Sequence, residues 1–270
     1  MTSDPEEVPP RRPVSLALAW SEMLAAGSGR ERPLLALWRP QGLAVVLGVA
    51  QRAERELNPG WEKNGIEVLR RQSGGGAVLL YPGVLCWEAL AAPGDITGVP
   101  GEGGIKSAYS FLSRPLQLAL AEMGVALDLA GISDLAFTTP AGERFKLAGT
   151  AQLRKRENIL VHGALLVAAD LEKMAEVLSP PSREPDYRQG RRHRDFCLNL
   201  QDALPHPSPG GDGDELIRKV AERVEVKARG ENWEVVNLPA RLSGKAAELE
   251  SGKYQNSAWN LRGERPGIAR

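Results

Sequence analysis

The stretch Arg70 to Gly83, "RRQSGGGAVLLYPG", sets two arginines, a serine and three consecutive glycines directly before an apolar segment. Three glycines let the backbone approach a ligand with no Cβ in the way, and offer successive N–H groups to an anion. Arg70 and Arg71 supply permanent charge with a donor fork suited to a carboxylate or phosphate, and Ser73 adds a hydroxyl. The spacing is neither GxGxxG nor a P-loop, because "GGGAV" leads into a strand and no Gly-Lys-Ser/Thr follows. From these residues alone a solvated glycine turn is the other reading.

Working outward, "SLALAWSEMLAAG" has Leu16, Ala19, Trp20, Met23 and Leu24 on one helical stripe, with Gly27 to end it. "LLALWRP", "LAVVLGV" and "IEVLRRQ" are short apolar or alternating runs bounded by turn residues, and read as strands. "AVLLYPG" and "GVLCWEAL" flank the turn dipeptide Pro82-Gly83, which predicts a hairpin. A helical pattern runs from about Ile105 to Met123, with Pro115 placed to kink it. "FKLAGTAQLRK" and "NILVHGALLVA" predict a second strand pair, and Asp170 predicts an N-cap for the helix after it. Further helices are expected at about 214–224 and 239–251, after a linker-like "PHPSPGGDGD". Strands followed by helices mixed among hairpins argue α+β, not an alternating βαβ fold.

Two more stretches carry chemistry. Lys146 stands in an otherwise apolar strand, three residues before Gly149 and among the small residues Ala148 and Ala151, which leave room for a ligand. Lysine is depleted inside strands; a lysine guarding a sheet edge is the alternative. His162 lies inside an apolar run directly before Gly163, either as a ligand contact or as a satisfied core histidine.

The 270 residues are 42% hydrophobic and 25% charged, enough for a real core. Lys+Arg and Asp+Glu are both 34, so general attraction to nucleic acid or anionic membrane is not expected. No apolar run approaches the roughly 20 residues needed to span a bilayer. The first residues are acidic and Pro-rich without an apolar signal core, so a cytoplasmic location and a disordered segment 1–13 are expected. Cys86 and Cys197 cannot make a disulfide framework or a metal cluster by themselves, and read as buried thiols.

Taken together, "LALAWSEMLAAG", "LLALWRPQGLAVVLGVAQ", "GIEVLRRQSGGGAV", "KLAGTAQLRKRENILVHGALLV", "NLQDAL" and "YQNSAWNLRGERP" resemble, in order and spacing, the lipoate–protein ligase family of the biotin/lipoate ligase and octanoyltransferase group. The likeness covers residues 14–266, read as one catalytic domain without a C-terminal accessory domain. It implies a mixed, largely antiparallel sheet flanked by helices, and transfer of a lipoyl or octanoyl group to one lysine of a lipoyl-carrier domain. That carrier would be a 2-oxoacid dehydrogenase E2 domain or a glycine cleavage H protein, with a separate accessory protein as a further partner. Lipoate, ATP and Mg2+ would be used, the acyl group passing through an adenylate. The resemblance makes Lys146 catalytic. It assigns acyl-adenylate binding to Arg70, Arg71, Ser73, Gly74, Gly75, Gly76, Ala77, Gly149, Thr150, Ala151, His162, Gly163 and Ala164. Asp134 is the one metal-binding position that carries over.

The sequence departs from that pattern where an aromatic residue, His and Asp are usual; here stand Leu79, Leu80 and Tyr81. Octanoyl transfer from acyl carrier protein, by way of a cysteine thioester, is the alternative reaction. The expected cysteine is missing from "GVALDLAGISDL". A non-catalytic binder of acyl groups or carriers is the rival of another class, and a transferase for some other small carboxylic acid, with Leu79 and Leu80 as an apolar pocket wall, is a third. The basic run Arg183–Arg194 reads as a solvated face, or as a dock for an acidic carrier.

Overall fold

The computed structural model describes residues 9–96, 104–206 and 212–264. Its strands are β1 (Arg11–Arg12), β2 (Leu34–Pro40), β3 (Ala44–Leu47), β4 (Glu67–Arg70), β5 (Val78–Leu80), β6 (Val84–Ala91), β7 (Leu127–Ala130), β8 (Asp134–Thr138), β9 (Arg144–Arg154), β10 (Ile159–Leu166) and β11 (Glu234–Asn237). Eight form one sheet, ordered β1-β2-β6-β10-β9-β8-β7, with β11 also paired to β2. Only β1 and β11 run parallel to their neighbour in it. β3 lies between β4 and β5 in a separate three-stranded sheet. This is the mixed, largely antiparallel α+β architecture expected.

The central strands β2 and β6 are buried along their whole length, as strands covered on both faces must be. Leu35, Leu37, Leu85, Trp87, Val161 and Leu165 belong to one core, shared with the helices Ile105–Leu112, Arg114–Glu122 and Gly213–Gly230. The alternate residues Ala36, Trp38, Cys86, Leu90 and Leu160 join a second core with the helix Val14–Ala26 and, through Val45, Val46 and Leu69, the small sheet. The candidate site lies in this second layer.

Several local expectations need correction. The first helix ends at Gly27, whose N–H donates to the Leu24 carbonyl, but Val14 through Ser21 are all buried. A helix covered on every side has no single apolar stripe. Pro115 breaks the long helix instead of kinking it, and sits in the first turn of Arg114–Glu122, where its missing N–H costs nothing. β5 and β6 form no hairpin: β5 pairs β3, while β6 pairs β2 and β10. Pro82-Gly83 is the crossover between the two sheets. The Gly83 carbonyl there accepts from the N–H groups of Val167 and Ala168. In the expected disordered segment, residues 1–8 lie outside the described residues. Pro9 to Pro13, by contrast, are held to the sheet: the Arg39 N–H donates to the Pro10 carbonyl and Arg12 bonds the Leu238 carbonyl. The centre of the linker-like run, 207–211, and the last residues of the expected domain, 265–266, lie outside the described residues too.

Candidate active site

The glycine stretch leaves the end of β4 and enters β5 with Gly74, Gly75 and Gly76 exposed between buried Ser73 and half-buried Ala77. A Cβ added at Gly74 or Gly76 would meet nothing within 4 Å, so these positions open onto free space. Gly75 has φ +89°, and a Cβ there would lie 3.7 Å from the Cβ of Ala151. The loop therefore sits over β9.

The two arginines spend their donors largely on backbone carbonyls. Arg70 is 1% exposed and its guanidinium donates to the carbonyls of Gly48, Val49, Gln51, Trp259 and Leu261. The Trp259 indole N–H returns a bond to the Arg70 carbonyl, and Asn260 Oδ1 accepts from the Arg70 N–H. Arg70 thus ties the glycine stretch to the C-terminal segment. Arg71 is spent inside the loop, donating to the carbonyls of Val46, Gly74 and Gly76 and to Ser73 Oγ. Burial pushes its pKa down to about 10, which leaves it charged at neutral pH.

Lys146 is turned toward this layer by an irregularity in the sheet. Ala136 pairs Lys146 while Leu135 pairs Ala148, so Leu147 is an extra residue on β9. Leu147 and Ala148 both enter the helix-side core, which frees Lys146 for the side of Gly149, as bulges commonly re-aim a side chain. A Cβ on Gly149 would lie 2.9 Å from Lys146 Nζ; glycine there is what lets the lysine lie across the strand. Nζ sits 2.7 Å from Asp134 Oδ1, and Tyr187 donates to Asp134 Oδ2 at 3.0 Å. Burial acts to lower the Lys146 pKa, but Asp134 and Cys197 outweigh it and the net shift is upward.

His162 and Ser73 do meet: His162 Nε2 is 2.6 Å from Ser73 Oγ. Burial, then Arg71, pushes the imidazole pKa down to about 3, so the ring is neutral. Gly149 pairs Ala164, and Ala151 pairs His162, giving a floor of small residues beneath the glycine loop. Other expected contacts have structural duties. The Thr150 hydroxyl donates to the Ser133 carbonyl at 2.6 Å. A Cβ on Gly163 would lie 2.2 Å from the Trp87 ring, so this glycine admits the indole. Ala77 is half-buried at the edge of the core. Leu79 and Leu80 are buried within the core, and Tyr81 donates to the Asp170 carbonyl at 2.5 Å.

Asp134 is already engaged by Lys146 and Tyr187, and among the described residues no group of three or more His, Cys, Asp or Glu side chains is placed to hold a metal ion. The open Gly74 and Gly76 positions, with Lys146 nearby, do fit an anionic ligand.

The basic run is solvated at Arg183, Arg192 and Arg194, as expected, but turns Arg188 and Arg191 inward. Arg188 is buried, with its guanidinium 4.9 Å from the centre of the Phe196 ring. Arg191 donates to the Arg144 carbonyl, and Leu198 N–H bonds the Lys146 carbonyl at 3.0 Å. Cys86 and Cys197 are the expected buried thiols; burial pushes the Cys197 pKa up to about 11, despite the opposing Lys146 and Arg188. Tyr187 was invisible to sequence reasoning because its loop has no periodic pattern. Glu88, described below, did leave a signal: a carboxylate within the apolar run "VLCWEAL". No helix among the described residues is long and apolar enough to cross a membrane.

This fold has close counterparts among solved structures. A bi-partite lipoate protein ligase from Thermoplasma acidophilum superposes with a TM-score of 0.72 at 21% identity, covering 96% of each chain. A lipoate-protein ligase A bound with ATP gives 0.69 at 23% identity, over 93% of this chain and 96% of that one. P. falciparum LipL1 in complex with lipoate gives 0.67 at 15% identity, over 96% of this chain and 74% of that one. Residues 13–224 match the family model described as the lipoyl protein ligase A/B catalytic domain. With that match spanning most of the chain, the protein belongs to the lipoyl protein ligase A/B catalytic domain family, as an enzyme of the lipoyl ligase or transferase type.

Proposed function

We propose that the protein transfers a lipoyl group, or the related octanoyl group, to one lysine of a lipoyl-carrier domain by way of an acyl-adenylate. The observation that carries this reading is the placement of Lys146. Its ammonium lies across Gly149, two residues along β9 from Ala151, the residue that the glycine loop covers. ATP supplies a leaving group, turning an unreactive carboxylate into a mixed anhydride that an amine can attack. The protein's own residues bind and orient. Lys146 neutralises oxygens where charge develops, the Gly74–Gly76 backbone approaches the anion closely, and Gly149, Ala151 and Ala164 leave room for the acyl group.

The thioester route of the octanoyltransferases has less support. A thiolate is its nucleophile, and neither buried thiol is activated: Cys86 is pushed well up by burial, and Cys197 to about 11. A pure binder would have little use for a lysine held on a carboxylate 2.7 Å away. The Thermoplasma relative is bi-partite and is described together with its E2 lipoyl domain. By extension we assign this chain a lipoyl-domain acceptor, an E2 domain or an H protein, and a separate accessory protein as a candidate partner in adenylation.

Mass spectrometry of an apo lipoyl domain incubated with the protein tests this. A lipoyl mass shift with lipoate and MgATP, or with preformed lipoyl-adenylate alone, supports it. The second result without the first assigns adenylation to a partner. An octanoyl shift from octanoyl-acyl carrier protein without ATP, or no shift with any donor, overturns the adenylate route.

A further inference from the structure

β6 is buried from end to end, and its one charged residue is Glu88, 2% exposed. It faces Ala36 on β2 and His162 on β10. A buried carboxyl is costly, and each unpaired buried polar atom calls for an explanation. Glu88 Oε2 has no hydrogen-bond partner. Its neighbour is His162 Nδ1, 3.6 Å away, while His162 Nε2 reaches Ser73 Oγ at 2.6 Å and Arg71 Nε donates to that oxygen at 3.0 Å. Carboxyl, imidazole, hydroxyl and guanidinium form one line from the middle of the sheet to the base of the glycine loop.

We propose that Glu88 is a positioning residue for this site: through His162 it sets the direction in which the Ser73 hydroxyl donates its hydrogen. The contact of 3.6 Å tightens by a small side-chain movement, as such bonds commonly do once a site is filled. On its other side His162 borders a small cavity of about 10 Å³, lined also by Ser21, Arg71, Ser73 and Tyr254.

Two proton arrangements are available. When Glu88 is neutral, its O–H donates to Nδ1, Nε2–H donates to Ser73 Oγ, and the serine hydrogen is left to donate toward a ligand. When Glu88 is ionised, Nδ1–H turns to the carboxylate and Nε2 accepts from Ser73, whose hydrogen is then spent on the ring. Arg71 donates in both. Burial raises the Glu88 pKa to about 8, Ser21 and Trp38 opposing in part. The first arrangement therefore holds at neutral pH and the second develops above pH 8.

Of the other groups facing the pair, burial raises Cys86 and Tyr254, and Arg71 stays charged. The Glu22 carboxylate accepts from Lys253 at 2.7 Å and from Tyr254 at 2.6 Å. The inference deepens the acyl-transfer reading, and rests on it only for what the serine hydrogen faces.

Nitrogen-15 NMR of the His162 ring, in wild type and Glu88→Gln, tests the proposal. Glutamine keeps the shape and cannot ionise. In the wild type the ring proton is expected on Nε2 at pH 7, moving to Nδ1 as pH passes about 8; in the variant the tautomer stays constant from pH 6 to 10. The variant-to-wild-type ratio of kcat for carrier acylation should rise about tenfold between pH 7 and 9, the worth of one hydrogen bond, with KM ratios unchanged. A wild-type tautomer that ignores pH, or a flat kcat ratio, overturns the proposal. If neither protein acylates a carrier, the acyl-transfer reading falls while the tautomer still judges Glu88. If Glu88→Gln does not fold, the wild-type titration decides alone.

Discussion

Lys146 Nζ and Asp134 Oδ1 lie 2.7 Å apart on paired strands, beside a glycine whose Cβ would displace the ammonium. Asp134 keeps the lysine charged where burial alone would lower its pKa. Lys146→Ala should reduce carrier acylation by about 10²–10³, the usual loss for one preorganised donor at a developing charge. In Asp134→Asn the largest raising influence is gone and burial weighs more. Lys146 then loses its proton at lower pH, so the alkaline limb of the pH–rate profile moves down; a limb that stays in place would refute the coupling.

Glycines in the same neighbourhood should separate by effect. Gly163→Ala drives a methyl group into Trp87, 2.2 Å away, and should cost about 1–3 kcal/mol of stability as overpacking. Gly76→Ala meets nothing within 4 Å. It should leave the melting temperature nearly unchanged while weakening acyl-adenylate binding, measured by titration calorimetry.

Arg70→Lys should act on stability, not affinity. A lysine cannot reproduce a planar fork that reaches five carbonyls on two chain segments. Stranding several buried acceptors should cost about 3 kcal/mol or more, or roughly 10 °C in melting temperature for a domain of this size. An unchanged melt with raised KM would instead restore a ligand-binding role.

Tyr187→Phe keeps the ring beside Phe196, 5.0 Å between centres, but removes the bond to Asp134. A kcat several-fold lower with about 1 kcal/mol or less of stability lost is expected. Tyr187→Ala, losing the ring contact too, should make the segment around Arg188 more sensitive to limited proteolysis.

The parts that local chemistry decides were legible. Gly27 ends the first helix, and Asp170 caps the Leu171–Val177 helix by accepting from the Lys173 N–H. The paired runs around Lys146 and His162 form β9 and β10 with seven residues in register. Each depends on side chains a few positions apart, or on the period of one strand. Lys146 and His162 were likewise visible as polar groups among small or apolar neighbours, which is unusual enough in a strand to mark a site, and Ser73 as a hydroxyl beside three glycines.

The amino-acid sequence by itself thus determined the class of fold, the glycine loop and the catalytic candidate, because propensity and pattern act over short separations. Tertiary structure alone decided which donors remain for a ligand. Arg70 and Arg71 look identical in "RRQSGGG", yet both are consumed by carbonyls, those of Arg70 reaching as far as Leu261. Tyr187 reaches Asp134 across 53 positions, and Ser73 reaches His162 across 89. Hydrogen bonds over such separations follow from how two sheets and a loop pack, and no local period records them.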